Sequence, residues 1–234
     1  MDNSHFGFRQ LKRIVPAPLK RVAKEALTNR TLRSAVRQIR NLPIAAVPSR
    51  AMLQSLQRGW ANEGFAAETD YLEEVARAAA STTGPILECG SGLTTILLGL
   101  LAGRRGIETW SLEHIAEWRA PVVEVLEKYK IPKVHVCLAP LRAYHGFSWY
   151  DPPLAHMPNE FRLVICDGPP SSTPGGRYGL LPVMRERLAS GSVIVLDDAQ
   201  RSSEGEVLRR WTDEAAMTVL LTRSGSRMFA TVTT

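Results

Sequence analysis

The sequence predicts an α/β fold in which a mostly parallel sheet carries helices on both faces, and two features of the chain indicate it. The first is an alternation between short apolar runs and helix-like segments, which is typical of β-α-β units. The apolar runs are at 85–89, 107–112, 133–138, 161–166 and 192–196, and the helix-like segments are at 93–103, 115–129 and 179–189. The second is the end of the chain, where "MTVLLTR" and "RMFATVTT" are separated only by "SGS". This short turn favours an antiparallel hairpin.

Length and composition set broad limits on the protein. The chain of 234 residues is long enough for one α/β domain with an appendage, and its 44% hydrophobic and 22% charged residues are ordinary globular values. No apolar run approaches the roughly 20 residues that span a bilayer, and the basic N-terminus lacks the apolar segment of a secretory signal. Cys89, Cys137 and Cys166 all lie in strand-like runs. Their odd number and wide spacing fit neither a disulfide framework nor a zinc site, so we expect buried, reduced thiols in a cytoplasmic protein.

Positive charge is concentrated in the N-terminal part of the chain. Residues 1–50 contain 11 Lys and Arg but 2 Asp and Glu, a net charge of +9, whereas the remainder has a net charge of −3. We therefore predict a basic helical extension over 1–47 and a main domain over 48–234, near the proline-containing linker "NLPIAAVPS". Apolar residues at helical spacing predict two helices within 17–41, separated at "TNRT". The extension either packs one face on the core or attaches the protein to an anionic membrane surface, a partner or nucleic acid.

Two further helices are predicted before the first strand. One extends from Arg50 to Trp60, and the next begins at Asp70. There "DYLE" places Glu73 three residues after Asp70, as in a capping box, and apolar residues such as Leu72 follow at helical spacing.

The predicted strands end in residues that suit ligand binding. In parallel sheets, ligands bind at the carboxyl ends of the strands near the point where the strand order reverses. The first strand ends in "ECGSG", in which Gly90 and Gly92 allow a tight turn and let the backbone approach a ligand at the start of the next helix. The alternative is an ordinary strand-to-helix turn.

The second strand ends in Glu113, followed by His114. Glu113 lies 21 residues after Gly92, about where a carboxylate accepts hydrogen bonds from both hydroxyl groups of a ribose. The alternative is a solvated surface glutamate. A dinucleotide fingerprint would place a third glycine at position 95, but Thr95 stands there, which disfavours a nicotinamide oxidoreductase.

Four segments together resemble the successive motifs of class I S-adenosylmethionine-dependent methyltransferases: "LECGSGLTT", "WSLEH", "VICDGPP" and "VIVLDDA". The resemblance covers about residues 60–234 and implies a Rossmann-like, seven-stranded sheet whose last strand is antiparallel. The stretch "DGPP…GRYGLLPVMRERLASGSVIVLDDAQR" is similar to bacterial small-molecule or sugar O-methyltransferases.

The resemblance also implies a cofactor site. It places the methionine portion of S-adenosylmethionine along residues 88–92, the ribose at Glu113 and the adenine near Pro140 and Leu141. The cofactor-binding residues that we expect are Glu88, Cys89, Gly90, Ser91, Gly92, Thr94, Glu113, His114, Pro140, Leu141 and Asp167.

Three carboxylates at two other strand ends suggest a metal site. Asp167 ends the fourth predicted strand, and Asp197 and Asp198 end the fifth, so we expect them to converge. Oxygen ligands of this kind suit Mg²⁺ or another divalent cation, which would orient an acceptor hydroxyl group. The arrangement resembles catechol O-methyltransferase, but Asp198 stands where that enzyme has Asn, and no lysine closely follows Asp167. The alternative is that these aspartates orient the substrate or cap the following turns.

An aromatic-rich insertion, "RAYHGFSWYDPP", lies between the third and fourth predicted strands. It is either a lid over the substrate or a packed loop. His145 within it is a candidate general base or an ordinary surface residue. Together with Asp167 and Asp198, it completes the set of candidate catalytic residues.

Three functions therefore remain open. The first is methyl transfer from S-adenosylmethionine to a hydroxyl group of a small molecule or saccharide, with or without a divalent metal. The second is an RNA methyltransferase that uses the basic extension as its nucleic-acid contact. The third is a non-catalytic scaffold or membrane-associated protein that retains the fold.

Overall fold

The computed structural model describes residues 17–61 and 67–234, with side chains from residue 25 onward. Nine strands are present among them: β1 Ile86–Cys89, β2 Thr109–Glu113, β3 Val134–Leu138, β4 Leu141–Tyr144, β5 Phe147–Tyr150, β6 Phe161–Cys166, β7 Leu188–Leu196, β8 Thr218–Ser224 and β9 Arg227–Thr233. Seven of them form one sheet in the order β3-β2-β1-β6-β7-β9-β8. The first five in this order are parallel, and β9 is antiparallel to both of its neighbours. The predicted seven-stranded sheet with an antiparallel last strand is confirmed.

Helices cover both faces of the sheet, as predicted. They are α1 Ala17–Arg40, α2 Arg50–Trp60, α3 Thr69–Ser81, α4 Leu93–Leu101, α5 Ala116–Lys128, α6 Leu180–Met184 and α7 Ser202–Glu214. Apolar side chains of α1 to α5 form one core with the first face. The second core contains side chains of α6, α7 and the β4–β5 hairpin, including the buried Trp149 and Trp211.

Strand β1 lies at the centre of the sheet and is buried along its whole length. A parallel strand in this position is covered on both faces, which explains its apolar sequence. Since side chains alternate along a strand, Leu87 and Cys89 enter the second core and Ile86 enters the first. Glu88 therefore faces the first core, on the side of α4.

The N-terminal helix differs from the prediction. Helix α1 is continuous from Ala17 to Arg40, so the predicted break at "TNRT" is wrong. This stretch contains neither glycine nor proline, and the Thr31 hydroxyl group donates a hydrogen bond to the Leu27 carbonyl oxygen within the helix. The side chains at the start of the first predicted helix, before residue 25, lie outside the described ones.

The second half of α1 packs on the core. Leu32, Ala35, Val36 and Ile39 are buried at helical spacing. Gly59 of α2 permits this contact, because a Cβ atom there would lie 2.5 Å from the Leu32 backbone nitrogen. Across the part of the chain that is described, no helix is both long and apolar enough to cross a membrane.

The start of α3 also corrects a prediction. The helix begins at Thr69, and its N-cap residue, Glu68, makes no side-chain capping hydrogen bond. The Asp70 carboxylate instead accepts hydrogen bonds from Arg50 and from the Ser224 hydroxyl group. The predicted capping box is therefore wrong, because Asp70 connects α2 with β8.

Two more predicted features take a different form. The helix predicted at 179–189 has α-helical geometry only over Leu180–Met184, because 3₁₀ turns flank it and β7 already begins at Leu188. The aromatic-rich insertion forms the antiparallel β4–β5 hairpin, in which Tyr144 stacks on Phe147.

All three cysteines are free, but Cys137 is only half-buried because β3 is an edge strand.

Candidate functional site

The carboxyl ends of β1, β2, β6 and β7 open into a cleft with a volume of about 340 Å³. Cys89 pairs with Leu112 on one side and with Cys166 on the other, and Cys166 pairs with Leu196. This register brings the residues that follow the four strands to the same level. The cleft therefore lies where the strand order reverses, between β1 and β6, as expected for a ligand site in such a sheet.

The structure sorts the candidate cofactor-binding residues into three groups. Those that line the cleft are Gly90, Ser91, Gly92, Thr94, Glu113, His114 and Asp167. Glu88 and Cys89 are fully buried below it. Pro140 and Leu141 lie where the chain enters the β4–β5 hairpin, outside the cleft lining.

The glycines of the β1–α4 turn have different roles. Gly90 has a φ of +93°, and a Cβ atom there would lie 3.3 Å from the Gly168 nitrogen. Gly90 is therefore required for the turn itself and for its close packing on the segment after β6. Gly92 has an extended backbone, and a Cβ atom there would have nothing within 4 Å. The absence of a side chain at Gly92 keeps this part of the cleft open.

Glu88 stabilises the turn from below. Its Oε2 atom accepts a hydrogen bond of 2.6 Å from the Thr95 hydroxyl group, and the Thr95 oxygen accepts a hydrogen bond of 2.8 Å from the Gly92 N–H group. Burial raises the pKa of Glu88 to about 7, although neighbouring hydroxyl groups oppose the shift. The acid therefore fixes the first turn of α4 and does not itself reach the cleft.

Glu113 joins the ends of β1 and β2. Its Oε2 atom accepts hydrogen bonds of 3.1 Å from both the N–H group and the hydroxyl group of Ser91. Its Oε1 atom accepts a hydrogen bond of 2.9 Å from the Ile115 N–H group. These donors hold the carboxylate beside the glycine turn, at the edge of the cleft.

Asp167, Asp197 and Asp198 come together on the opposite side of the cleft, and one oxygen atom from each lies within 4.8 Å of the others. Arg177 lies among them. Its Nη2 atom donates to Oδ1 of Asp167 at 3.0 Å and to Oδ2 of Asp198 at 3.2 Å. The same nitrogen donates to the Asp167 carbonyl oxygen at 3.0 Å, and Nη1 donates to the Asp197 carbonyl oxygen. The guanidinium group therefore connects the ends of β6 and β7.

The charged groups of this cluster shift one another's pKa values. Burial raises the pKa of Asp167 to about 6, against the opposing effect of Arg177. Burial and the neighbouring charges of Asp167 and Asp198 raise the pKa of Asp197 to about 7. Burial alone would lower the pKa of Arg177, but the surrounding acids raise it above its ordinary value. Arg177 is thus a permanent positive charge.

The aspartates differ in their access to the cleft. The Asp167 side chain is 35% exposed, whereas that of Asp198 is 7% exposed. Asp198 also accepts hydrogen bonds from Gln200 and contacts Arg201 at 2.9 Å. Asp167 is therefore the carboxylate of the cluster that is best placed to touch a ligand.

The β4–β5 hairpin contributes a different residue from the one predicted. His145 is exposed at the hairpin turn and does not line the cleft. Tyr150, which is 1% exposed, lines it instead. Tyr150 packs beside Gly168, where there is no room for a Cβ atom.

Sequence reasoning missed Arg177 as a site residue. The local signal was an arginine within the mostly small and apolar stretch "GRYGLL". If such a stretch is buried, its arginine needs acidic partners, because a charged side chain is almost never fully buried unless it is paired. This signal could not identify the partners, since they come from two other strand ends.

The sequence matches no protein-family model and no curated protein. Solved structures nevertheless share the fold. The SAH-bound Podospora anserina methyltransferase PaMTH1 has a TM-score of 0.56 at 14% identity, with 94% of this chain and 98% of that chain covered. A SAM-dependent O-methyltransferase from Thermotoga maritima has a TM-score of 0.53 at 12% identity, with 80% of this chain and 71% of that chain covered. A ribosomal protein L11 methylase from Lactobacillus delbrueckii subsp. bulgaricus has a TM-score of 0.52 at 12% identity, covering 71% and 80%. The chain therefore has the Rossmann-like fold of these methyltransferases.

Proposed function

We propose that the protein transfers a methyl group from S-adenosylmethionine to a hydroxyl group of a small molecule or saccharide. The observation that carries this proposal is the position of Asp167 across one cleft from the Gly90–Gly92 turn and Glu113. A turn that would bind the methyl donor and a partly exposed carboxylate therefore line the same cleft. The cleft volume of about 340 Å³ lies within the range of small-molecule sites.

The residues present fit the cofactor. The exposed backbone of Gly90 to Gly92 would hold its amino-acid portion, because the open space beside Gly92 admits a ligand. Glu113 would accept hydrogen bonds from the ribose hydroxyl groups. Bound there, S-adenosylmethionine supplies an electrophilic methyl group on a positively charged sulfur atom.

Asp167 is the group that we assign to proton removal. It would accept the proton of the acceptor hydroxyl group as that oxygen takes up the methyl group, and the electron pair of the broken S–C bond would stay on sulfur. A pKa of about 6 leaves Asp167 largely ionised at neutral pH yet basic enough to take a proton. Asp198, which is held by Arg177 and Arg201, has a positioning role.

Methylation of RNA is the second candidate, and one surface favours it. Arg30, Arg33 and Arg37 are exposed along the described part of α1 and line a shallow groove. A basic face of this kind also suits an anionic membrane surface, which would place the protein at the membrane periphery. The two alternatives differ experimentally, because RNA binding would respond steeply to salt in solution and membrane binding would require anionic vesicles.

The first test is a calorimetric titration of the full chain with S-adenosylmethionine, S-adenosylhomocysteine and NAD. We expect binding of the first two and none of NAD. Binding of NAD alone would support an oxidoreductase, and no binding of any of the three at millimolar concentration would support a non-catalytic scaffold. A screen of hydroxyl-containing acceptors with a methyl-labelled donor then identifies the substrate class.

A further inference from the structure

Arg177 occupies the centre of the acidic cluster described above. A divalent metal in this cluster would need several carboxylate oxygens as ligands. Two of the available oxygens, Oδ1 of Asp167 and Oδ2 of Asp198, already accept hydrogen bonds from Nη2 of Arg177. A third, Oδ1 of Asp197, accepts a hydrogen bond of 2.8 Å from the Asp198 N–H group. Oδ1 of Asp198 accepts a further hydrogen bond from Gln200. Four of the six carboxylate oxygens of the cluster therefore already have a protein donor, and the remaining two are too few for a metal that needs several oxygen ligands.

The guanidinium group is fixed where it lies. Arg177 is 2% exposed, belongs to the 3₁₀ turn at Gly176–Gly179, and lies 3.9 Å from the carboxylate of the buried Glu204. Its hydrogen bonds to two backbone carbonyl groups anchor it to the ends of β6 and β7. A metal ion bound to the same carboxylates would lie within a few ångströms of this positive charge, which would weaken its binding.

We propose that Arg177 is the resident cation of this cluster and replaces a divalent metal, so that the protein works without one. The catalytic part of the inference rests on the proposed function. There Arg177 is a positioning residue: it holds the Asp167 carboxylate at the cleft and balances the acidic charge that a metal would otherwise neutralise.

The test is binding of Mn²⁺ to the full-length protein, followed by electron paramagnetic resonance. We expect no saturable site in the wild-type protein. Arg177→Ala frees the carboxylate oxygens and should create a saturable Mn²⁺ site, at least about tenfold tighter than any weak, non-saturable binding by the wild type. Arg201→Ala is the matched control, because it removes an arginine from the same Asp198 but leaves Arg177 in place. It should create no site.

Two outcomes of the Mn²⁺ titration would overturn the inference. One is saturable Mn²⁺ binding by the wild type that disappears in Asp198→Asn. The other is a folded Arg177→Ala variant that gains no Mn²⁺ site. If Arg177→Ala does not fold, the wild-type titration still decides the matter.

The metal titration is independent of the proposed function, because it needs neither methyl donor nor acceptor. If S-adenosylmethionine does not bind while the Mn²⁺ results hold, the proposed function fails and the assignment of Arg177 stands. If methyl transfer occurs, it should be unchanged in EDTA. Loss of transfer in EDTA, restored by Mg²⁺ or Mn²⁺, would overturn the assignment of Arg177 alone.

Discussion

The Thr95 hydroxyl group lies 2.6 Å from Oε2 of Glu88 and connects the first turn of α4 to the central strand β1. The same hydroxyl oxygen accepts the Gly92 N–H group at 2.8 Å. A glycine at position 95, as in dinucleotide-binding turns, would lose both interactions. Thr95 is therefore an integral part of this turn, and its position explains how a fully buried acid is accommodated beneath the cleft.

Glu88 should make the stability of the protein depend on pH. Its pKa is about 7 in the folded protein against an ordinary value of 4.5, so the folded state binds more protons between these values. The contribution of Glu88 is then fully favourable below about pH 4.5 and is lost as the pH rises through about 7. Glu88→Gln should remove this loss. The free energy of unfolding of the variant, relative to wild type, should therefore be up to about 3 kcal/mol higher at about pH 8 than at about pH 4.5.

Urea unfolding at the two pH values measures this difference. Glu124→Gln, at an exposed position in the middle of α5, is the control and should change neither value by more than about 0.5 kcal/mol. An equal effect of Glu88→Gln at both pH values would show that Glu88 does not titrate in this range.

Thr95→Val should destabilise the protein by about 1–3 kcal/mol, because it leaves the Glu88 carboxyl group and the Gly92 N–H group without their shared partner. Thr95→Ser keeps the hydroxyl group and should recover most of the loss. Thermal and urea unfolding of the two variants provide the measurement. Equal stability of the Val and Ser variants would contradict the assigned role.

Gly92→Val should abolish cofactor binding and leave the protein folded. The extended backbone accepts any residue, and the new side chain enters open space at the cleft. Gly205→Val on α7 is the control, since a Cβ atom there also meets nothing within 4 Å but lies outside the cleft. Calorimetry with S-adenosylhomocysteine and far-ultraviolet circular dichroism decide the result, and wild-type affinity of Gly92→Val would disprove binding at this turn. Gly90→Val is a poorer test, because its φ of +93° would strain the fold itself.

The sequence predicted the parts of the fold that depend on local pattern. Each parallel strand was recognisable from a short apolar run between helical segments, and the polar residues after these runs mark the edge of the sheet where the cleft lies. Glu113 and Asp167 line the cleft for that reason.

Features that depend on tertiary contacts were missed. The role of Arg177 arises because three aspartates from two strand ends surround it, and no spacing along the chain encodes that. The β4–β5 hairpin had a local signal, a two-residue turn ending in Gly146 with a φ of +84°, but its many aromatic residues equally suit a packed loop. At "TNRT", polar residues suggested a break, yet one continuous helix passes through them, with Asn29 and Arg30 exposed and Thr28 and Thr31 partly buried.

Asp167→Asn should lower the rate of methyl transfer by about 10²–10⁴-fold, because the amide cannot accept the proton of the acceptor hydroxyl group. The amide oxygen still accepts a hydrogen bond from Arg177, so the fold and the affinity for S-adenosylhomocysteine should change little. Asp151→Asn is the control, since Asp151 is an exposed carboxylate outside the cleft. Rates are measured with the methyl-labelled donor and an acceptor found in the hydroxyl screen. Wild-type transfer by Asp167→Asn would remove it as the base, whereas a parallel loss of cofactor affinity would assign Asp167 to donor binding instead.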